Sequence, residues 1–360
     1  MKRVKQLLAA VVLAAALLAS YSSQSCTGIS FTARDGSYVM ARTMEWSGPY
    51  VPYGYTIIPR GQEMVSYTPT GQNGLNFRAK YGVVGIGPQQ KEFIIEGVNE
   101  AGLSAGLFYF PGYGKYVEYE QEKNFETLCD MQFVSWALSQ FSTIRQVKEA
   151  LHTVRVVSAG IGGNTSTVHW RIGDNQGNQV VLEFLNGEAV FYDNPLGVLT
   201  NSPEFSWHLT NLNNYINLFA GSATVKDWGG HLLRPMGSGS GSLGLPGDLT
   251  PAGRFVRAAY YTATAPQQPT ALKTVLQCFH ILNNFDIPIG AENAAGKVPD
   301  VPSATPCTTV TDLLSKKIYY RTSYNSIIRC ISLDNIDFEH FRYEFYPLEH
   351  TLEEPIIEIF

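Results

Sequence analysis

Residues 26–46, CTGISFTARDGSYVMARTMEW, decide the fold, because they predict two short strands joined by a tight turn. Between the strands, Asp35-Gly36 is a strong hairpin signal, since a type I′ turn needs positive φ at both central positions. If these two residues form the loop, Cys26 lies directly across from Glu45, with Cβ atoms roughly 5 Å apart. The sequence therefore predicts that a thiol faces a carboxylate at the open end of a hairpin.

An export signal precedes this hairpin. Basic residues within 2–5 are followed by an unbroken apolar run at 7–19. A run of this length is too short to span a bilayer comfortably and is typical of a signal peptide. Ser23 and Ser25 then supply small residues at positions −3 and −1 of a cut just before Cys26.

Two fates of Cys26 follow from such a leader. Cleavage would expose the cysteine with a free α-amine, whereas a lipoprotein signal would acylate it. Lipidation usually requires an aliphatic residue three positions before the cysteine, and this chain has Ser23. We therefore predict a signal peptide at 1–25 and one exported catalytic domain at 26–360, in the periplasm or secreted. A non-catalytic lipoprotein remains the alternative.

Composition limits the classes of function. The chain is 44% hydrophobic and 12% aromatic, which indicates a well-filled globular core. Its net charge is −5, and no dense basic run follows the leader, which argues against a nucleic-acid partner. No later apolar stretch is long enough to span a membrane, so no membrane association is expected after leader removal.

The other four cysteines are Cys129, Cys278, Cys307 and Cys330. The first two lie in helical patterns and resemble buried small hydrophobic residues. Four cysteines allow three disulfide connectivities in an exported protein, but we favour structural thiols. There is no CxxC and no HExxH, so we predict no metal and no cofactor.

A second candidate nucleophile is Ser104, because Gly102, Ser104 and Gly106 match the G-x-S-x-G pattern. That motif requires a strand before the serine and a helix after it. The residues that follow Gly106 are Leu-Phe-Tyr-Phe-Pro, a strand-like aromatic run, so the context does not fit. A serine hydrolase that uses Ser104 stays open as a minority hypothesis.

The remaining chain predicts helices interspersed between antiparallel sheets. Helical periodicity is clearest at 125–151 and recurs after Pro251 and at 271–284, while 167–198 predicts a meander of strands with His169 packed inside it. The last strands are expected in the second sheet. The segment 199–215, directly after the meander, places Asn201 between a strand end and a turn at Pro203.

Of three polar residues after the meander, two have both a structural and a functional interpretation. Asn201 either stabilises its own turn or aims an amide at a developing oxyanion. Arg254 is either a surface cation or an active-site charge. His208 is expected to cap or pack in a helix.

The chain contains seven sequence segments whose combination, in this order, is highly specific for one family. They resemble the choloylglycine hydrolase family, which contains conjugated bile salt hydrolases and penicillin V acylases. The resemblance covers nearly all of 26–360 and implies an α+β fold, the four-layer αββα sandwich of two antiparallel sheets of N-terminal nucleophile hydrolases. The segments are CTGISF (26–31), ARTMEW (41–46), VNEAGL (98–103), DNPLGVLTNSPEFSWHLTNLNNY (193–215), GLPGDLTPAGRFVRAAYY (244–261), FHILNN (279–284) and KIYYRTSYN (317–325).

The resemblance also implies roles for individual residues. Cys26 matches the family's nucleophile, and Arg42 and Arg254 match its two arginines. Asn201 matches the asparagine of the oxyanion hole, and the backbone N–H of Tyr109 would be the other donor. In the predicted hairpin register Arg42 points away from Cys26, so a bulge or an early strand end would be required.

Glu45 departs from the family pattern, because the family position is usually Asp. Glutamate carries the same negative charge as aspartate, so Glu45 keeps the predicted catalytic role. Trp46, Phe108 and Phe110 suggest an apolar acyl pocket, although each suits the core equally well. The tryptophan directly after the acidic residue resembles the Gram-negative branch of the family. The implied substrates are N-acyl amides of the penicillin V, conjugated bile salt or acyl-homoserine lactone type, and Tyr109 favours the first. Family members are often homo-tetramers.

Overall fold

The computed structural model describes residues 25–46, 48–88, 90–160, 166–293 and 296–360. The predicted leader, apart from Ser25, lies outside these residues. The helices are α1 Phe133–Gln140, α2 Ile144–Leu151, α3 Phe205–Asn211, α4 Pro251–Thr264 and α5 Ala271–Leu282. The strands are β1 Cys26–Thr32, β2 Tyr38–Met44, β3 Tyr53–Ile58, β4 Glu63–Val65, β5 Asn76–Arg78, β6 Val83–Pro88, β7 Glu96–Asn99, β8 Ser104–Tyr109, β9 Thr127–Cys129, β10 Arg155–Val157, β11 Val168–Gly173, β12 Gln179–Leu185, β13 Glu188–Asp193, β14 Lys226–Trp228, β15 His231–Leu233, β16 Cys307–Asp312, β17 Lys317–Thr322, β18 Asn325–Ser332 and β19 Glu344–Pro347.

Two antiparallel sheets form the centre of the described chain. One has five strands in the order β1-β2-β16-β17-β18, and the other has eight in the order β13-β12-β11-β8-β7-β6-β3-β19. Helix α1 packs on β7 and β8 of the larger sheet, while α4 and α5 pack on β1 and β2 of the smaller one. The predicted αββα order of layers is confirmed.

The strand pattern explains why the two sheets stack. In β11, Val168, Trp170 and Ile172 belong to the apolar cluster beneath α1 and α2. The intervening residues His169 and Arg171 point to the opposite face, because side chains alternate along a strand. Both are fully buried, so polar and charged groups lie between the sheets. The functional site is built at one end of this layer.

The β1–β2 hairpin forms, but in a register that differs from the predicted one. Cys26 pairs with Met44 and not with Glu45. The Ala33 N–H donates to Ser37 O at 2.9 Å, which leaves a three-residue loop whose last residue, Gly36, has φ +87°. A glycine in the left-handed region at this position is typical of three-residue hairpin loops, and the shift of one residue follows.

Other predictions hold in outline with local differences. The meander appears as β11, β12 and β13, and the helices after Pro251 and over 271–284 are α4 and α5. Thr143 caps α2, since its hydroxyl accepts the Gln146 N–H at 3.3 Å. The helical prediction for Cys129 is wrong, because this residue ends the short strand β9.

The last strand also differs from the prediction. Of the three C-terminal strands, β17 and β18 join the smaller sheet, whereas β19 pairs with β3 in the larger one.

The cysteines of the described chain are all free thiols, and Cys330 is exposed. Cys129 and Cys278 are fully buried, as expected of small hydrophobic residues. Across the described ranges, none of the helices is both long and apolar enough to cross a membrane.

Candidate active site

Cys26 is the first residue of β1, and its side chain is almost completely buried. Burial raises the pKa of the thiol, while the positive charges of Arg42 and Arg254 oppose that shift. Glu45 adds to the rise, and the backbone amide of Tyr109 forms a hydrogen bond that lowers the pKa. The sulfur thus has two cations and a backbone donor around it, which are the groups that stabilise a thiolate.

The main chain of Cys26 is held by side chains from distant segments. In the described chain Ser25 is still joined to the Cys26 nitrogen, and this N–H donates to Asn201 Oδ1 at 2.9 Å. Arg254 Nη1 donates to the Cys26 carbonyl oxygen at 2.5 Å, and its Nη2 donates to Asn201 Oδ1 at 2.7 Å. Because a guanidinium only donates, these contacts fix which end of the Asn201 amide is oxygen.

Asn201 and the backbone amide of Tyr109, the two predicted oxyanion donors, both contact Cys26. Asn201 Nδ2 donates to Tyr109 O at 2.8 Å, which leaves the second Nδ2 hydrogen available. The Phe110 N–H donates to Thr167 O, so the alternating pattern of the antiparallel ladder turns the Tyr109 N–H away from β11 and toward Cys26.

The Tyr109 side chain, by contrast, packs against the apolar cluster beneath α1 and α2. Its hydroxyl donates to Ser166 Oγ at 2.8 Å. The backbone of Tyr109 faces Cys26 and its ring does not, so the ring is a poor guide to the acyl group.

Arg42 lies on the same face of the smaller sheet as Cys26. In the observed register it pairs with Gly28, two residues along β1, so the bulge required by the predicted register is unnecessary. Its Nη1 donates to Leu107 O at 2.6 Å, and its Cζ lies 3.9 Å from the centroid of the Phe108 ring. Arg42 Nη2 has no hydrogen-bond partner among the described residues.

Glu45 follows the end of β2 and is also buried. Burial raises the pKa of its carboxyl group to about 8, and the Arg254 charge and the Thr43 hydroxyl oppose the rise. Neither carboxylate oxygen has a hydrogen-bond partner of ordinary geometry in the described part of the chain. Glu45 therefore contributes a carboxyl group that is partly protonated near neutral pH.

Arg254 is inside the site and not on the surface. Thr250 caps α4 by accepting the Gly253 N–H, and Pro251 occupies the first turn, where a missing N–H costs nothing. This start places Arg254 in the first turn, where its side chain is fully buried. Its Nε donates to Leu249 O at 2.9 Å, which completes a set of contacts on four residues with Cys26, Thr27 and Asn201.

The three predicted substrate-binding aromatics differ in exposure. Phe108 and Phe110 are fully buried, and Phe110 stacks on His169 with centroids 4.5 Å apart. They lack the exposed surface that contact with a substrate would need in this form of the chain. Trp46 lines a surface cleft with Tyr50 and other residues, and its Nε1 donates to Pro49 O at 2.8 Å.

The surroundings of Ser104 indicate a structural role. It lies within β8 and is fully buried, and its hydroxyl donates to Gly97 O at 2.8 Å. No helix follows it, so the nucleophile-elbow geometry is missing at this position of the described chain.

Two charged residues that sequence reasoning missed hold Arg42 in place. Glu96 accepts from Arg42 at 3.4 Å through Oε2 and from Arg171 at 3.2 Å through Oε1. Arg171 also donates to the carbonyl oxygens of Ile29 and Ala41, which lie on β1 and β2. Charged residues inside otherwise apolar strands were the available signal, because burial on both faces forces such groups to pair.

Two histidines that sequence reasoning treated as packing residues hold the segment that carries Asn201. His169 lies between Glu183 and the backbone of Thr200. Its Nδ1 is 3.0 Å from Glu183 Oε1, and its Nε2 is 3.1 Å from Thr200 O. Glu183 Oε1 also accepts the Phe205 N–H at 2.9 Å. The buried His169–Glu183 pair therefore holds the segment 200–205 at both of its ends.

His208 contacts Asn201 directly. Its ring stacks on Phe255, and burial lowers its pKa to about 4. The neutral ring donates from Nε2 to Asn201 O at 2.9 Å.

The family model for linear amide C–N hydrolases of the choloylglycine hydrolase family matches residues 26–345. The chain belongs to the choloylglycine hydrolase family. Like other members of this family, it is an enzyme that hydrolyses linear amides. The match begins at Cys26, the residue on which the contacts above converge.

The relatives include bile salt hydrolases and a penicillin V acylase. The chain is 31% identical over 336 residues to a bile salt hydrolase/transferase of Clostridium perfringens, with 91% of this chain and 98% of the relative covered. It is 26% identical to a penicillin V acylase of Pectobacterium atrosepticum, with 94% of this chain and 88% of that protein covered.

Solved structures give the same fold. A variant of conjugated bile acid hydrolase from Clostridium perfringens matches with a TM-score of 0.79 and 29% identity, covering 93% of this chain and 99% of that chain. Penicillin V acylase from Agrobacterium tumefaciens has the same fold, with a TM-score of 0.69 and 22% identity over 88% of each chain. The N-terminal nucleophile hydrolase fold is thereby established.

Proposed function

We propose that, once the leader is removed, this chain is an N-terminal cysteine amidohydrolase that cleaves N-acyl substrates through a thioester acyl-enzyme. The observation that carries the proposal is the position of Cys26. Its nitrogen lies 2.9 Å from Asn201 Oδ1, and its sulfur is hydrogen-bonded by the backbone amide of Tyr109. The proposed base (the Cys26 nitrogen) and nucleophile (the Cys26 sulfur) thus belong to one residue, and the proposed oxyanion donors contact it.

The chemistry follows from these groups. A free α-amine has a pKa of about 7.7–8.0 in model peptides, so near neutral pH it can accept the thiol proton. The Cys26 sulfur attacks the amide carbonyl, and the electron pair of the C=O bond moves to oxygen. The Tyr109 N–H and the second Asn201 Nδ2 hydrogen stabilise that oxyanion.

Collapse of the tetrahedral intermediate breaks the C–N bond. The α-ammonium of Cys26 gives its proton to the departing nitrogen, which leaves as an amine. Water, deprotonated by the same amine, then attacks the thioester and releases the carboxylic acid and the thiol. Arg42 favours the thiolate by its charge, and Arg254 keeps Cys26 and Asn201 in register.

The proposed substrates are small N-acyl amides with an apolar acyl group, of the penicillin V, conjugated bile salt or acyl-homoserine lactone type. Support comes from relatives named as bile salt hydrolase/transferase and penicillin V acylase. We also propose that the mature enzyme is exported to the periplasm or secreted and forms a homo-tetramer, which light scattering of the purified protein tests.

Two measurements on the exported protein test the function. Intact mass should show a chain that begins at Cys26, and a panel of the three substrate types should identify the preferred acyl group. Cys26→Ala should abolish hydrolysis, whereas Ser104→Ala should retain the catalytic mechanism.

Two results would overturn the proposal. Added lipid mass on Cys26 without amidase activity would support the non-catalytic lipoprotein. Activity that survives Cys26→Ala and is lost in Ser104→Ala would support the serine hydrolase.

A further inference from the structure

Ser25 is held by two groups of the catalytic domain, although the proposed mature enzyme begins one residue later. Its side chain is buried, and its hydroxyl donates to Glu292 Oε1 at 2.9 Å. Its carbonyl oxygen accepts the Glu45 N–H at 3.0 Å. Removal of the leader would therefore leave a space beside the Cys26 nitrogen that is bordered by a carboxylate acceptor and a backbone donor.

One water molecule would satisfy both of these groups. Its oxygen can accept the Glu45 N–H, and one of its hydrogens can be donated to Glu292 Oε1. A buried water typically makes about three hydrogen bonds, so a third partner is needed. The Cys26 nitrogen, to which Ser25 is bonded in the described chain, supplies that partner once it is a free amine.

The water that attacks the acyl-enzyme must be able to pass its proton to the Cys26 amine. In the described chain the Cys26 N–H points at Asn201 Oδ1, 2.9 Å away. The direction of the bond to Ser25 becomes free when the leader is cut, and it faces the space that Ser25 filled. A water that donates to the amine along this direction lies in that space, next to Glu292.

Glu292 has no role in the family resemblance, because it lies outside the seven segments that carry it. Among the described residues, its hydrogen-bond partner is Ser25, and its Oε2 is buried without one. Burial lowers the pKa of the nearby Arg254, and the negative charge of Glu292 is among the groups that oppose this shift. The carboxylate is thus close to the catalytic residues and would lose its partner when Ser25 leaves.

We propose that Glu292 is a positioning residue that holds the water for hydrolysis of the acyl-enzyme, and so favours water over other nucleophiles as the acyl acceptor. The inference rests on the function proposed above. It concerns the second half of the reaction, after the amine of the substrate has left.

The role of Glu292 follows from the two hydrogens of the water. One proton moves to the Cys26 amine while the water oxygen bonds to the thioester carbon. The C–S bond then breaks, the carboxylic acid leaves, and the ammonium returns the proton to the sulfur. Glu292 accepts the hydrogen that stays on the water oxygen, which directs a lone pair of that oxygen at the thioester.

Competition between water and hydroxylamine tests this role. Hydroxylamine attacks a thioester without first losing a proton, so its attack does not need Glu292. With the amide that the substrate panel identifies and a fixed hydroxylamine concentration, the ratio of hydroxamate to carboxylic acid compares the two attacks on one acyl-enzyme. This ratio should rise about tenfold in Glu292→Ala, the effect of losing one hydrogen bond to a charged group. The kcat/KM for loss of the amide should change little, because it reports only the steps up to amine release.

Two further variants and one structure complete the test. Glu292→Gln keeps an oxygen acceptor for the water, so its ratio should stay within about threefold of the parent value. Glu353→Ala, in the exposed C-terminal segment, should leave the ratio unchanged. A crystal structure of the chain that begins at Cys26 should show a water within hydrogen-bond distance of both Glu292 and the Glu45 N–H.

An unchanged ratio in Glu292→Ala, or a mature structure without this water, would overturn the inference while the proposed function stands. If the parent enzyme forms neither acid nor hydroxamate from any amide of the panel, the proposed function is overturned, and the water site with it.

Discussion

Gly28 and Arg42 face each other across the β1–β2 hairpin, which puts the Arg42 side chain on the Cys26 face of the smaller sheet. A side chain at Gly28 would collide with this arrangement. A Cβ atom there would lie 2.7 Å from Arg171 Nη1 and 2.8 Å from Phe108 Cζ. Glycine is required because the Phe108 ring and the Arg171 guanidinium fill the space above it.

Gly28→Ala should therefore lower the free energy of unfolding by about 1–3 kcal/mol, the usual cost of overpacking. Activity should also fall, because Phe108 and Arg171 must move. The matched control is Gly247→Ala, where a Cβ would meet nothing within 4 Å. Urea unfolding of both variants checks the prediction, and equal losses in the two would show that the contact above Gly28 is unimportant.

Glu96→Gln should be among the most destabilising single changes in the chain. It removes the only negative charge that bridges Arg42 and Arg171 in the described structure, and leaves two buried cations uncompensated. Breaking a buried pair in this way costs roughly 3–5 kcal/mol.

The matched control for Glu96 is Glu339→Gln. Glu339 pairs with Arg60 at 3.1 Å on the exposed surface, where such pairs contribute about 0–1 kcal/mol. Thermal unfolding should separate the two variants clearly. A Glu96→Gln protein as stable as the Glu339→Gln protein would mean that the buried charges are compensated elsewhere.

Asn201→Ala should reduce kcat about 10²–10³-fold, the typical effect of losing one oxyanion donor. Asn201→Asp keeps an oxygen for the Cys26 nitrogen and Arg254 but loses the Nδ2 donor. If the donor matters, the Asp variant should be as impaired as the Ala variant. Steady-state kinetics checks both, and near-normal turnover by Asn201→Asp would restrict Asn201 to anchoring Cys26.

The raised pKa of Glu45 predicts a pH-dependent cost to stability. Burial moves its pKa from 4.5 to about 8 in the folded chain, so between these values the folded protein binds a proton that the unfolded chain has lost. The contribution of Glu45 is therefore most favourable below pH 4.5 and worsens as the pH rises to about 8, by up to about 1.4 kcal/mol per pH unit.

Glu45→Gln removes this titration. Its stability relative to the parent should improve steadily from pH 5 to pH 8 in urea unfolding, and then level off. Glu149→Gln, on the exposed face of α2, is the control and should show no such trend. A constant difference across this range would contradict the raised pKa.

His208→Phe should lower kcat with little change in KM. Phenylalanine can keep the stack on Phe255 but cannot donate to Asn201 O, so Asn201 would lose one fixed contact. We expect about a tenfold loss, because a hydrogen bond of this kind contributes about 0.5–1.5 kcal/mol. His208→Gln retains a donor and should recover part of the activity, whereas equal losses in both variants would point to packing alone.

The sequence predicted the layers, the hairpin and the residues that surround Cys26, but not the hairpin register. Asp35-Gly36 suits a two-residue loop and equally a three-residue loop that ends in Gly36, and local sequence does not choose between them. The choice is made by burial, since the observed register turns Arg42 toward Phe108 and Glu96 between the sheets. A shift of one residue would have turned it to the opposite face.

Local sequence patterns also do not predict which buried charges pair, because the partners are far apart in sequence. Glu96, Arg171 and His169 each interrupt an apolar strand, which marks them as buried polar residues, but their partners lie up to 75 residues away in sequence. Phe108 was a candidate for substrate contact because aromatic runs suit both a pocket and a core. Only the packed sheets show that its ring is enclosed by two arginines.

The burial of both Ser25 and Cys26 bears on the order of events during biogenesis. A peptidase needs an extended, accessible segment on either side of the bond it cuts, and this bond is enclosed once the hairpin has joined β16. If the leader is cut before Cys26, as we propose, the cut must precede closure of the domain or be made by groups already inside it. A precursor that folded first would resist external proteases at that junction, and its amine would stay blocked unless groups inside the domain cut the bond.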